Sequence, residues 1–327
     1  MKTSLYLATE DVRLRLRGES IVVEHLEPGG SREWRKASST ERFPMANLDA
    51  VVLSARTGVT GPLLGRLCAR VEPHPSRNAL VRRAQVHASL DESHALAIGR
   101  TIIRAKIRNQ RVFLSRHLRR GVTLDPAIER RLRDSEDRVK DAATRSEIMG
   151  HEGNAARTYF EGLRELLTGS GFDFGGRSRR PPTDPVNALL SYGYALLAAD
   201  CADAAAIAGF DPYIGFLHTE RWGRAELALD LMEELRTPLV DSLVCGAIRR
   251  RVFAVEGFSR CPEGGVRMEQ KTRRSFLKLW AQQKHRTVVH PVVEARHPLA
   301  KLPLLQARLL GKHLLGQTAT YTPFVWR

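Results

Sequence analysis

The apolar residues of this 327-residue chain change their spacing once, and that change limits the fold more than any single motif does. From Ser4 to about Val52 they alternate: Leu5 and Leu7, then Val12, Leu14 and Leu16, then Ile21, Val22 and Val23. A period of two puts one face of a strand on a core and the other in water. Turns are expected at Gly18-Glu19 and Pro28-Gly29-Gly30, and the apolar run from Leu48 to Leu53 leads into a segment, 58–67, that reads as a short helix. After Asn78 the spacing is helical and hardly leaves that period. Pro73-His74-Pro75 separates the two regimes. The expected fold class is therefore α+β, with a small N-terminal β domain over 1–75 and a larger all-α domain over 76–327. The chain is long enough to bury cores of its own without disulfides or a structural metal.

Charge narrows the partner. The chain carries 52 Lys and Arg against 36 Asp and Glu, a net +16. Residues 101–140 hold 12 basic and 5 acidic side chains, and residues 248–327 hold 16 and 4, so the excess is confined to two stretches. Such confinement points to polyanion-binding surfaces, with nucleic acid first. In the first stretch Ile103, Ile107, Leu114 and Leu118 keep one helix face apolar, and Arg104, Arg108, Arg111 and Arg119 form a neighbouring stripe that suits either solvent or phosphates. Cys68, Cys201, Cys245 and Cys261 form no C-x-x-C pair, which argues against a zinc ribbon or a secreted disulfide framework and fits a reducing cytoplasm. No apolar signal core follows the start, and Asp200 and Asp203 interrupt the apolar run from Tyr194 to Phe210, so no membrane span is expected.

Two acidic features carry chemistry. In the helix expected over 149–167, Glu152 heads a stripe completed by Ala156, Tyr159 and Leu163. A carboxylate there meets an arginine, is protonated, or binds a cation. In a second helix, from Ala225, Ala228, Leu231, Met232 and Leu235 form the apolar side, and Glu226, Asp230, Glu233 and Glu234 fall within about 100° of one another opposite it. Four carboxylates on one stripe call for a cation or for solvent. His218 lies just upstream, after an apolar run. A carboxylate on a buried face, an acidic helix and one imidazole make a hard site that suits manganese or magnesium better than zinc. In a basic protein such a site points to phosphodiester chemistry. A P-loop, a G-x-S-x-G and a dinucleotide fingerprint are all lacking from the sequence.

Several ordered blocks resemble a known family: RNALVRRAQVHASLDES at 77–93, IIRAKIRNQRVFLSRH at 102–117, HEGNAARTYF at 151–160, RRPPTDPVNALLSYGYALL at 179–197, GFDPYIGFLHTERWGRAELALDLMEELR at 209–236 and QKTRRSFLKLW at 270–280. They are similar to blocks of the CRISPR-associated endonuclease and integrase of spacer acquisition, the first-numbered CRISPR-associated protein. The ending, LPLLQARLLGKHLLGQTATYTPFVWR, resembles the I-C subtype. The resemblance implies that Glu152, His218 and Glu233 hold a divalent metal and act in catalysis, with Asp230 behind them or as an alternative ligand. It implies transesterification, in which the 3′-hydroxyl of a DNA fragment attacks a phosphodiester at a repeat end, and nicking of branched DNA by the same site. Arg104, Arg108, Arg111, Lys271, Arg273 and Arg274 are the basic residues expected to hold duplex phosphates. The implied partners are a second copy, through the β domain, then the small second acquisition protein bridging two dimers, and an iron–sulfur nuclease of the same operon. Tyr159, Asn187 and Tyr192 are expected to pack rather than react.

One departure stands out. Relatives continue through a further strand after the L-L-G-R-L-C-A helix, whereas here Cys68-Ala69 runs straight into Arg70-Val71-Glu72. One strand fewer exposes a sheet edge and weakens the expected dimer. A copy that keeps its metal site but assembles poorly is the corresponding expectation. The alternatives are a decayed or non-catalytic DNA-binding scaffold and, more remotely, a metal-dependent nuclease outside this pathway.

Overall fold

The computed structural model describes residues 3–7, 12–26, 37–53, 57–59, 78–218, 223–262 and 264–326. The chain divides into two compact units, Met1–Glu72 and Pro73–Arg327. In the first, β1 (Thr3–Leu7) pairs in parallel with β5 (Leu48–Leu53). A second sheet orders β4 (Ala37–Pro44), β3 (Ser20–Leu26), β2 (Val12–Arg17) and β6 (Thr57–Val59). The alternation sets the β2–β3 register: Leu14 opposes Val23 and Leu16 opposes Ile21, and Val12, Leu14, Ile21 and Val23 are buried together. Gly18 turns the hairpin with φ +59°, the left-handed conformation such a tight turn demands. On the opposite face Glu24 lies 3.6 Å from Arg13 and 3.3 Å from Arg15.

The expected helix over 58–67 is corrected at its start, because Gly58 and Val59 belong to β6, parallel to β2. The rest of that segment, the turn at Pro28–Gly30, the Pro73–Pro75 break and the junction at Cys68–Glu72 lie outside the described residues.

The second unit is mostly helical: α1 (Ala79–Leu90), α2 (Glu92–Leu118), α3 (Pro126–Asp141), α4 (Arg145–Leu166), α5 (Pro185–Ala208), α6 (Glu226–Glu233), α7 (Ser242–Arg249), α8 (Gln270–His285) and α9 (Leu302–Leu314). It is not purely helical, since β7 (Phe258–Arg260) pairs with β8 (Val266–Met268) and β9 (Thr287–Val289) with β10 (Arg296–Pro298). α2 is central and packs against α3, α4 and α6, burying Ile98, Ile102, Ile103 and Ile107. α4 opens on a reciprocal cap: Thr144 accepts from the Glu147 amide at 3.2 Å, and the Glu147 carboxylate accepts from the Ala143 amide at 2.7 Å. α5 starts at Pro185 behind its cap Asp184 and stops at Gly209, φ +99°. No helix among the described residues is long and apolar enough to cross a membrane.

α6 is short for a covalent reason. Pro238 has no N–H to give the Glu234 carbonyl four residues back, and its ring would crowd that carbonyl. The backbone passes instead through a π turn, Arg236–Asp241, before α7. The Glu234 carbonyl released in this way accepts from Asn109 Nδ2 of α2 at 2.7 Å. α6 is thus tied directly to the central helix.

Candidate metal centre

α2, α4 and α6 bring three charged side chains to one point. Lys106 of α2 donates to Glu152 Oε1 of α4, and its Nζ lies 2.6 Å from Glu233 Oε2 of α6. All three are largely buried, with side-chain exposures of 6% for Lys106, 12% for Glu152 and 6% for Glu233. Arg236, one turn on from Glu233, donates to both its oxygens at 2.9 and 3.1 Å. Burial by itself would raise the Glu233 carboxyl, but the charges of Arg236 and Lys106 hold it well below the usual carboxylate range. Of the arginine, protonation or cation that the sequence left open for Glu152, the structure supplies a cationic side chain, and it is a lysine.

His218 arrives on the loop before α6. Gly215 lets that loop lie against the helix: a Cβ there would sit 2.8 Å from Glu226 Cβ and 3.0 Å from Asp230 Oδ2. The close approach aims successive amides at Asp230, whose Oδ2 accepts from Phe216 at 2.7 Å and Leu217 at 3.0 Å, and whose Oδ1 accepts from the His218 amide at 3.3 Å. His218 Nδ1 lies 2.6 Å from the same Oδ1. Burial opposes the charged imidazole, yet the hydrogen bond and charge of Asp230, with Glu233 beyond, raise His218 above its ordinary value. Both Asp230 oxygens are committed to the loop, so Asp230 orients His218 and leaves Nε2 as the nitrogen with coordination capacity.

The stripe of four carboxylates is not solvated. Glu226, Asp230 and Glu234 are fully buried and Glu233 nearly so. Each meets different company: Glu226 lies 3.4 Å from Arg224 Nε with no hydrogen bond to either oxygen, and Glu234 accepts from Tyr321 Oη, the Phe324 amide and Gln306 Nε2. Burial pushes the Glu234 carboxyl up to about 7 against those three donors. Asn109 completes this clasp on the C-terminal segment by donating to the Phe324 carbonyl at 2.9 Å and accepting from the Trp326 amide at 2.7 Å.

Behind Arg236, Tyr194 offers its ring face at 4.1 Å, and Asp241 accepts from Tyr194 Oη at 2.5 Å, Tyr159 Oη at 2.8 Å and Thr237 Oγ1 at 2.9 Å. Burial, then the charge of Asp241, pushes both phenols well above their ordinary values, so they are fixed donors. Tyr159 is fully buried, and Tyr192 packs against Phe276. Asn187 is a buried hub, accepting from Arg177 at 2.8 Å and donating to the Gly176 carbonyl at 2.7 Å.

Glu152 also borders a cavity of about 510 Å³ lined by Arg157, Arg164, Arg177, Arg179 and Phe160. None of these arginines stood out in the sequence. Arg157 and Arg164 recur seven residues apart on α4, and Arg177 and Arg179 lie in a Gly-, Arg- and Pro-rich loop, residues 169–184 between α4 and α5, whose position beside Glu152 only the fold reveals. Of the expected phosphate-binding residues, Arg108, Lys271, Arg273 and Arg274 are exposed and Arg104 is half-buried. Arg111 is placed differently from these: its guanidinium lies 2.6 Å from Glu136 and 3.4 Å from Glu129, an internal pairing of α2 with α3.

Among the described residues, no three His, Cys, Asp or Glu side chains already stand in metal-binding geometry. Glu152 and Glu233 converge on an ammonium instead. The donor set itself, two carboxylates and an imidazole oriented by a carboxylate, suits a hard divalent ion.

The family described as CRISPR associated protein Cas1 matches residues 63–282. A CRISPR-associated endonuclease Cas1 of Rhodospirillum rubrum is 37% identical, over 99% of this chain and 98% of that protein. The chain belongs to the Cas1 family. Its fold also matches a casposase bound to integration product, with TM-score 0.71 and 22% identity over 100% of both chains. A Cas6-RT-Cas1–Cas2 complex matches over 99% of this chain and 36% of that one, with TM-score 0.69 and 23% identity. The Rhodospirillum match runs over 351 residues, whereas this Cas1 family member has 327, so at least 24 of its positions have no residue here.

Proposed function

We propose that this Cas1 family member is a divalent-metal-dependent DNA endonuclease and integrase that inserts new spacers into a CRISPR array by 3′-hydroxyl transesterification. The observation that carries this reading is the meeting of Glu152 and Glu233, from separate helices, on one ammonium, with an imidazole held by Asp230 whose charge bears on Glu233. Glu152, His218 Nε2 and Glu233 would hold manganese or magnesium, which when bound supplies Lewis-acid stabilisation of the charged pentacoordinate phosphorus. The chain's own residues do the rest. Asp230 sets the imidazole's orientation, Arg236 orients the Glu233 carboxylate, and the arginines of the adjoining cavity would neutralise strand phosphates and hold them beside Glu152.

The partners in this reading are double-stranded and branched DNA, a second copy, the small second acquisition protein and the iron–sulfur nuclease, in a cytoplasmic complex of the I-C subtype. The test is strand transfer and nicking on branched DNA with manganese, comparing the protein with Glu152→Ala and His218→Ala, with and without its acquisition partner. Activity lost in both variants is expected. DNA binding unaffected by manganese, with no cut product from any sample, would replace this reading with a decayed scaffold. Sedimentation at low micromolar concentration tests the shortened β domain, and weak dimerisation is expected.

A further inference from the structure

The ammonium of Lys106 sits between Glu152 and Glu233, where the proposed function places a divalent ion. We propose that Lys106 is a resident counter-cation: it holds the two carboxylates together while no ion is bound, and the ion must displace it. This inference rests on the metal-site reading above and deepens it.

Three observations support displacement over a permanent salt bridge. First, both carboxylates already have cationic partners, because Glu152 meets Lys106 and Glu233 meets Lys106 and Arg236 in a buried cluster. An added divalent ion would face the ammonium at a few ångströms, a repulsion strengthened by the burial of all three side chains. Second, the ammonium already engages one oxygen of each carboxylate that would hold the ion, Glu152 Oε1 and Glu233 Oε2. Glu233 is held from its other side by Arg236, so it stays in place when Lys106 leaves. Third, the Lys106 side chain suits displacement. Its partner Glu152 lines the cavity of about 510 Å³, through which an ion can reach the pair, and lysine's flexible four-carbon stem can withdraw its point charge, unlike arginine's rigid fork. An apolar residue in place of Lys106 would leave two carboxylates facing each other in a buried site, which explains why α2 carries a charge among Ile102, Ile103 and Ile107.

The experiment measures manganese binding to the full chain by calorimetry, and melting temperature with and without manganese, for the wild type, Lys106→Met and Lys106→Arg. Lys106→Met is expected to melt below the wild type without metal, to bind manganese at least about tenfold more tightly, and to gain more in melting temperature from it. Lys106→Arg keeps the charge and the fold and is expected to bind manganese at least about tenfold more weakly, because a fork bound to both carboxylates yields less readily. Equal or weaker binding by Lys106→Met, or unchanged binding by Lys106→Arg, overturns the proposal. If Lys106→Met does not fold without metal, the arginine variant decides. Glu152→Gln separates the two layers: wild-type binding that this change fails to remove refutes the metal site, whereas Glu152-dependent binding indifferent to Lys106 refutes only the counter-cation.

Discussion

Asp230→Asn tests how His218 is held. The Asp230 carboxylate is fully buried and serves the amides of Phe216, Leu217 and His218 together with His218 Nδ1, at 2.7, 3.0, 3.3 and 2.6 Å. Asparagine has one acceptor oxygen and one NH2 group, so in one orientation the Phe216 and Leu217 amides face a donor, and in the other the His218 amide does, together with Nδ1 of the protonated imidazole. A buried donor without an acceptor costs about 1–3 kcal/mol, and with partial relaxation the pair amounts to roughly 3 kcal/mol. A pH signature accompanies the loss. His218 is raised above 6.5 in the folded protein, against burial, by Asp230 and then Glu233. Its contribution is therefore fully present below the unfolded value and is lost as pH rises through the higher folded value. Urea denaturation of both proteins near pH 6 and near pH 8.5 is the assay, with the gap between them expected to shrink at the higher pH. A gap below about 1 kcal/mol near pH 6, or a gap that widens with pH, would refute the anchoring role.

The remaining predictions concern neighbouring features. Glu234, raised from 4.5 to about 7, stabilises the fold most below its unfolded value and loses that contribution as pH rises through about 7. Glu234→Gln is expected to flatten urea-midpoint profiles between about pH 5 and pH 7.5, and an unchanged slope would count against it. Gly215→Ala forces a methyl to 2.8 Å from Glu226 Cβ and is expected to cost about 1–3 kcal/mol while lowering manganese affinity through displacement of the His218 loop. A fully stable variant with wild-type manganese binding would show that the loop tolerates the methyl. Arg157→Gln with Arg164→Gln is expected to weaken binding of single-stranded and branched DNA and to reduce the salt slope by about 2, readable by fluorescence anisotropy. An unchanged slope would place the strand elsewhere.

Much of the site was legible where one helix carries the signal. Glu152 heading the stripe of Ala156, Tyr159 and Leu163 announced a charge needing company, and Asp230 and Glu233 shared a face by their three-residue spacing. The company itself was not legible. Lys106 and Glu152 are 46 residues apart in sequence, and Asp230 and the His218 imidazole 12 apart across a loop, so no periodicity links them. Lys106 had left a trace, a lysine following Ile102 by one turn on the buried side of α2, which is the mirror image of the Glu152 argument.

The N-terminal strands, the run of helices, the basic excess and the types of donor were set by the sequence, because side-chain period, turn chemistry and charge are local properties. Tertiary structure decided what each carboxylate does. Glu226, Asp230, Glu233 and Glu234 look alike on a helical wheel, yet each is buried against a different neighbour: Arg224, a loop of amides, a lysine–arginine pair and the C-terminal segment. The physical reason is that the free energy of a buried charge depends on the dipoles and charges within a few ångströms, and those come from residues the chain brings together only on folding.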